Sequence, residues 1–226
     1  MDLPQTLHGQ LYLLAYDRKR HRFDGDNLWL FGFALRAAVL TDLYLTGHLQ
    51  DAGGKPCPSS VARPVDPVLG AAFDQIGVTG QKDWAEFDRR KRAGCPRVVR
   101  DQLNATGWLR GQHCRMLGII PTARLGLYDE DMVGGLADQV TEALRTAIVG
   151  LPAVQRPLAV GLLAVLEQMP TVLSYKESSR HRQELRALTF AARAPIVGLH
   201  QAIQTYHEDV RARMGGVVLI AKQSVV

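Results

Sequence analysis

The sequence predicts one mainly α-helical domain, residues 1–226, built around two central apolar helices and carrying a single β-hairpin. The two helices are predicted at residues 26–47 and 152–173, which are apolar on nearly every face, as in helices that are buried on all sides. Hydrophobic residues make up 46% of the chain and charged residues 22%, so one large core can form. No internal repeat or linker divides the sequence, and we therefore expect a single domain.

The chain opens with an amphipathic helix and a basic loop. Residues 3–16 place Leu7, Leu11 and Leu14 at helical spacing after Thr6, a residue type that caps helices, although part of this stretch also suits a strand. The loop at residues 17–26 contains five consecutive basic residues. Such a run is solvated in most proteins, and directly before an apolar helix it also suits contact with an anionic surface.

In the first central helix, residues 26–47, Arg36 carries the one charge between Asp26 and Asp42. A guanidinium group stays charged at every accessible pH, and burying it without a partner is costly. Two interpretations follow from the sequence. Arg36 either forms a structural salt bridge with an acid elsewhere in the chain, or it reaches the edge of the core and binds an anion.

After a loop rich in Gly, Pro and Ser, which could contain a short edge strand, the pattern predicts short helices at residues 66–76 and 83–93 and a longer one at 95–109. Pro96 suits the first turn of that longer helix. Arg97 and Arg100, three residues apart, fall on one face near its N-terminus. Two arginines beside free backbone N–H groups predict an anion site, and the alternative is an ordinary solvated face.

Residues 110–131 predict a β-hairpin or an extended loop. Four apolar residues of this stretch lie among arginines, which suits a tip that dips into a membrane, a contact between subunits, or a hairpin packed on its own core. These residues are Met116, Leu117, Ile119 and Ile120.

The rest of the chain is helical by its period, with helices predicted at residues 131–149, 152–173, 178–193 and 195–214 and a tail at 217–221. The acids Asp129, Glu130 and Asp131 precede the first of these helices, where negative charge stabilises the helix dipole. Trp29, Trp84 and Trp108 are interpreted as core or interface aromatics.

Several functional classes lack support in the sequence. No phosphate-binding glycine motif, nucleophile with its base, or metal-ligand spacing is present, so we predict no enzyme, no cofactor and no metal site. The net charge of +5 comes without the interleaved aromatics of a nucleic-acid interface, and no nucleic acid is expected as a partner. Three separated cysteines and the absence of a signal segment or a 20-residue apolar span favour a cytoplasmic protein with, at most, peripheral membrane contact.

The chain resembles the Golgi phosphoprotein 3 family over residues 3–192. The opening LYLLAYDRKRHRF is similar to the family's first helix and loop, and FALRAAVLTDLYLTGHLQ is similar to its GLRGCMLIELALRGRLQ-type helix. RVVRDQL resembles its RNVRERL-type segment, residues 114–127 fall where the family has an apolar β-hairpin, and RPLAVGLLAVLEQMPTVL resembles a later buried helix. Arginine outnumbers lysine 21 to 6, which is typical of a GC-rich genome and favours a bacterial member.

The resemblance implies a peripheral membrane protein that binds phosphatidylinositol 4-phosphate. It places Arg36, Arg97 and Arg100 on the family's lipid-binding arginines and the hairpin on a segment implicated in membrane contact and self-association. The family's site also has a tryptophan nine residues before the first arginine. Here that position is Asn27, and Trp29 lies two residues away, so Trp29 is the candidate for this role.

The sequence therefore predicts recognition of an anionic, phosphoinositide-like head group on a membrane surface, with a homo-oligomer through the hairpin as a further prediction and protein cargo undefined. Two alternatives remain open at this stage. A helical scaffold could use the same arginine pocket for a soluble phosphorylated metabolite or an acidic partner, and an enzyme could use it for a phosphorylated substrate, which would require a base near Arg36.

Overall fold

The computed structural model describes residues 2–23, 28–79, 82–89, 94–116, 120–166, 169–192 and 195–198. This part of the chain is mainly helical, and its strands form three short two-stranded antiparallel sheets, so the predicted fold class is confirmed. In chain order the helices are α1 (Leu7–Leu14), α2 (Leu28–Leu45), α3 (Pro67–Thr79), α4 (Trp84–Arg89), α5 (Cys95–Ala105), α6 (Glu130–Ile148), α7 (Gln155–Leu166), α8 (Tyr175–Arg180) and α9 (Arg182–Ala191). The strands are β1 (Tyr16–Asp17), β2 (Arg22–Phe23), β3 (Leu49–Asp51), β4 (Pro56–Pro58), β5 (Leu109–Met116) and β6 (Ile120–Leu127).

Helix α2 is the centre of the structure, as its composition predicts. Every residue from 31 to 43 is buried, and α2 packs against α1, α3, α4, α5 and α7. A helix with neighbours on all sides needs apolar residues on all sides, which explains why its sequence lacks an amphipathic period. Within the helices that the structure describes, no segment is both long and apolar enough to cross a bilayer.

The second central helix is shorter than predicted. Helix α7 ends at Leu166, and residues 170–172 form a turn in which the amide of Val172 donates to the carbonyl of Met169 at 3.3 Å. Helix α7 packs closely on α6 at Gly161, where an added Cβ would lie 2.6 Å from Cγ of Leu144. The predicted span of 152–173 was too long because the polar residues Glu167 and Gln168 end the apolar run, and Pro170, which cannot continue a helix, follows them.

Two helix starts are fixed by side-chain caps. Asp129 precedes α6 and accepts hydrogen bonds from the amides of Asp131 and Met132, which confirms the interpretation of the acids as a helix start. Ser174 and Glu177 form a capping box that begins α8. The single helix predicted at 178–193 is instead two helices, α8 and α9, that meet at His181, where the backbone leaves the α-helical region.

The short sheets lie where loops were predicted. Strands β1 and β2 pair at the two ends of the run of basic residues 18–22, called the basic segment below. Strands β3 and β4 pair within the Gly- and Pro-rich stretch. Strands β5 and β6 form the predicted hairpin, which pairs from Leu109 with Leu127 to Met116 with Ile120. The helix predicted at 195–214 lies outside the described residues beyond position 198, and the predicted tail at 217–221 lies wholly outside them.

Candidate functional site

Helix α5 presents two arginines beside an N-terminus that lacks a side-chain cap. Val99 and Leu103 bury one face of the helix, which turns the remaining faces outward. Pro96 occupies the first turn, and the N-cap residue, Gly94, supplies no side-chain acceptor. The N-cap residue therefore offers no side-chain acceptor to the backbone N–H groups in the first turn of α5. These N–H groups form the positive end of the helix dipole.

The two arginines of α5 share one carboxylate. Nε of Arg97 lies 3.8 Å from Oδ2 of Asp101, and Nη2 of Arg100 lies 3.2 Å from Oδ1 of the same residue. The side chain of Arg97 is 80% exposed and that of Arg100 is 42% exposed. Two guanidinium groups against one carboxylate leave a surplus of positive charge at a surface that solvent and ligands can reach.

Arg36 is held inside the structure by groups on two neighbouring helices. Its side chain is buried, with 6% of the residue exposed. Nε donates to the backbone carbonyl of Phe87 in α4 at 3.2 Å, and Nη2 donates to Oε1 of Gln75 in α3 at 2.9 Å. The guanidinium therefore ties α2 to α3 and α4.

The three predicted arginines lie on two helices that pack against each other, α2 and α5. Burial raises the pKa of Tyr12 in α1. Arg100 lies close enough to this phenol for its positive charge to act in the opposite direction. The ring of Tyr12 contacts the ring of Phe31 in α2 at a centroid distance of 5.6 Å. Arg36 follows Phe31 by five residues, about 7.5 Å along the helix. Arg100 is thus near the N-terminal half of α2, which also carries Arg36.

Beneath the exposed face of α5 lies a polar network that the sequence did not reveal. The buried His8 pairs through Nε2 with Oε1 of Gln102 at 3.0 Å, and Nε2 of Gln102 donates to Oδ2 of Asp66 at 2.5 Å. Burial lowers the pKa of His8, so the ring is neutral at pH 7. This network fixes α5 to α1 and to the start of α3, and with it the position of the two arginines. Because the residues are far apart in the chain, no local pattern could have indicated it.

The predicted membrane hairpin is anchored to the core at its base. Leu109 and Leu127 are buried, and the rings of Trp108 and Tyr128 meet edge to face at 6.1 Å. The guanidinium of Arg110 lies 4.3 Å from the centre of the Tyr128 ring. Each strand has eight residues, which corresponds to a reach of about 27 Å.

Five predicted site residues are only partly covered by the structure. Met116 and Ile120 pair with each other at the far end of the hairpin backbone, and Leu117 and Ile119 lie outside the described residues. Trp29 is in the first turn of α2. The side chains of Met116, Ile120 and Trp29 are not among those described, so their predicted contacts stay predictions.

The basic segment adjoins the hairpin because β2 packs against β6. Residues 18–21 are exposed, and His21 lies 3.2 Å from Oε1 of Glu130 at the start of α6. The hydroxyl of Tyr16 donates to the same oxygen at 3.0 Å, and burial together with this bond raises the pKa of Tyr16 to about 12. Glu130 therefore connects the basic segment to the base of the hairpin.

The described residues place no cluster of three or more histidine, cysteine or acidic side chains where it could hold a metal ion. Cys57 is a free thiol. Trp84 and Trp108 are buried, which confirms that both are core aromatics.

Comparison with known families identifies the family of this chain. The family model described as Golgi phosphoprotein 3 (GPP34) matches residues 7–205, which is most of the chain. No curated protein matches the sequence.

Proposed function

The chain belongs to the Golgi phosphoprotein 3 family, and from this membership we propose that it is a peripheral membrane protein that binds a phosphoinositide-like head group, such as that of phosphatidylinositol 4-phosphate. The proposed location is the cytoplasmic surface of a membrane. The proposed site comprises Arg97 and Arg100 at the exposed start of α5, together with Arg36 in α2, the helix against which α5 packs.

The surplus positive charge on α5 is the observation that carries the proposal. Arg97 and Arg100 share the single carboxylate of Asp101, and the start of α5 has no side-chain cap. A phosphate group accepts paired hydrogen bonds from guanidinium groups and favours the N-terminal end of a helix dipole. Both features act on the same small surface, so an anion placed there would gain from each.

Arg36 has a different role in this proposal. Its guanidinium is buried and donates to Phe87 and Gln75, so in this proposal it would add positive potential through the low-dielectric interior. Trp29 precedes Arg36 by seven residues, two helical turns, so the two positions share a face of α2. We assign Trp29 to the rim of the site on this ground and on the family resemblance.

Membrane contact is assigned to the hairpin and the basic segment together. The packing of β2 against β6 brings the exposed basic residues 18–20 to the side of the hairpin. Each basic residue near an anionic surface contributes about 1 kcal/mol, so this segment alone gives weak attraction. Apolar side chains at the hairpin tip and a head-group site on α5 would supply the additional affinity.

Liposome flotation at physiological salt tests the proposal. Vesicles that contain phosphatidylinositol 4-phosphate are compared with phosphatidylserine and cardiolipin vesicles of equal total charge. We expect selective flotation with the first, and the double variant Arg97→Glu/Arg100→Glu should weaken it strongly. The matched control is Arg182→Glu/Arg186→Glu, which reverses two exposed arginines of α9 and is expected to float like the unaltered chain.

Three other outcomes are informative. Equal binding to every anionic vesicle would reduce the site to a non-specific basic surface. Equal loss in both double variants would show that total charge, and not α5, determines binding. The lipid function would be rejected by no flotation on any vesicle, and a soluble phosphorylated ligand would then be the function to pursue. Circular dichroism of each variant checks that the fold is retained.

A further inference from the structure

A cleft lies beside the basic segment, between β1, helix α6 and the turn at residues 170–172. It has a volume of about 320 Å³, and Leu14, Val133 and Pro170 contribute apolar wall. Arg18 and Lys19 line the same cleft. This volume is at the small end of the range for ligand sites, so the cleft suits a compact group and not a large cofactor.

The side chains that line this cleft carry a net positive charge. Asp17 also lines it, but its carboxylate accepts from the amides of Lys19 and Arg20 and lies 3.6 Å from Nε of Arg20. Among the described residues, no carboxylate forms an ion pair with Arg18 or Lys19. The nearby Glu130 is engaged by the hydroxyl of Tyr16 and the ring of His21.

Gly134 gives the Arg18 side chain a defined resting place. A Cβ added at Gly134 would lie 2.1 Å from Nη1 of Arg18, so the guanidinium lies directly on the backbone of α6. The next residue, Gly135, has nothing within 4 Å of such a Cβ. Of these two adjacent glycines, the one at position 134 makes room for the arginine.

We propose that this cleft is a second anion site, which binds a phosphate group through Arg18 and Lys19. A guanidinium fork and an ammonium group together suit the several oxygens of a phosphate, and two adjacent cations disfavour a metal ion. The apolar wall would contact the carbon skeleton that carries the phosphate. The site is separate from the one on α5, and the phosphate belongs either to a lipid head group at the membrane surface or to a small soluble molecule.

The two glycines provide a test that leaves the net charge unchanged. Gly134→Ala displaces the Arg18 guanidinium, whereas Gly135→Ala makes the same chemical change on the same helix and meets nothing. Alanine favours a helix at both positions, and the displaced group is the end of a flexible side chain, so both variants are expected to fold. Unfolding curves check this.

Binding is measured in the Arg97→Glu/Arg100→Glu background, which removes the proposed α5 site. Calorimetric titration uses inositol 1,4-bisphosphate and inorganic phosphate as soluble probes, and flotation uses phosphatidylcholine vesicles that contain phosphatidylinositol 4-phosphate. We expect one remaining equivalent of bound probe, an affinity about tenfold lower in Gly134→Ala, and no change in Gly135→Ala. Arg18→Gln/Lys19→Gln is expected to abolish this binding.

The arms separate the possible sources of the phosphate. Binding of the soluble probes that depends on position 134 supports a phosphate site open to soluble ligands, and dependence seen only with vesicles supports a lipid head group. No binding in this background, or equal affinities in the two glycine variants, overturns the proposal. If the proposed α5 site does not exist, the result is different, because the Arg97→Glu/Arg100→Glu variant and the unaltered chain would then bind the same number of equivalents of probe.

Discussion

Asp42 in the core and the Arg97–Arg100 pair on the surface carry charges in opposite surroundings. Asp42 is 1% exposed, and each carboxylate oxygen has a partner: Oδ2 accepts from the amide of Leu7, and Oδ1 lies 2.9 Å from Nη2 of Arg156. Arg97 and Arg100 are exposed to different degrees and share one acid.

The difference separates charges that hold the fold from charges that are available to a ligand. A buried ion without partners is costly, so the chain supplies the partners of Asp42 from α1 and α7. A surface charge is stabilised by water and needs no such completion. If this division is correct, substitutions in the core should change stability, and substitutions on α5 should change binding alone.

The largest effect is expected at Asp42. Asp42→Ala leaves the buried amide of Leu7 without its acceptor and Arg156 without its acid, so we expect the free energy of unfolding to fall by about 3 kcal/mol. Urea denaturation measures this. Asp42→Asn keeps an acceptor for the amide and should lose less. A loss below about 1 kcal/mol in the alanine variant would show that the interior charge is not important for the fold.

Arg36 tests whether one charged residue can both stabilise the fold and contribute to ligand binding. Its bonds to Phe87 and Gln75 tie three helices together, so Arg36→Gln should lower the free energy of unfolding by about 2 kcal/mol. It should also weaken flotation on phosphatidylinositol 4-phosphate vesicles. The control Arg182→Gln, on the exposed face of α9, should leave the denaturation midpoint unchanged. Lost flotation with unchanged stability would show that Arg36 contributes to binding and not to the stability of the fold.

His8 should make the interior sensitive to acid. Burial lowers its pKa below 6.5, so the unfolded chain takes up a proton before the folded chain does. Stability therefore falls as the pH drops through 6.5 and continues to fall until the folded histidine titrates. At pH 7 and above the effect is absent.

Denaturation curves measured between pH 7.5 and 5 check this dependence. His8→Gln cannot titrate, so its stability should vary less with pH over that interval than that of the unaltered chain. An equal slope in both proteins would assign the acid sensitivity to groups other than His8.

The sequence predicted those parts of the fold that depend on local pattern. Helix α2 follows from its uniform apolar composition, α5 from Pro96 and the Val99–Leu103 face, and the start of α6 from Asp129. Parts that depend on distant residues could not be predicted. The partners of Arg36 come from α3 and α4, and no periodicity links them to α2.

The candidate site shows the same limit. The spacing of Arg97 and Arg100 placed them on one helix near its N-terminus, as the structure has them. Their shared acid, Asp101, is adjacent in sequence and could have been recognised. The cleft beside Gly134 could not, because it exists only once the segment at Arg18 folds back over α6, more than 100 residues later in the chain.

The smallest effect on stability is expected at the proposed head-group site, and this makes the final test the sharpest. Arg97→Gln/Arg100→Gln removes two exposed charges whose common partner, Asp101, is itself exposed, so the free energy of unfolding should change by less than about 0.5 kcal/mol. Flotation on phosphatidylinositol 4-phosphate vesicles should nevertheless fall sharply. A surface arginine that can be removed without loss of stability, but not without loss of binding, contributes to recognition of a ligand. If instead the variant unfolds more easily and still floats, the arginines of α5 hold the helix in place, and the head-group site must be sought elsewhere on the protein.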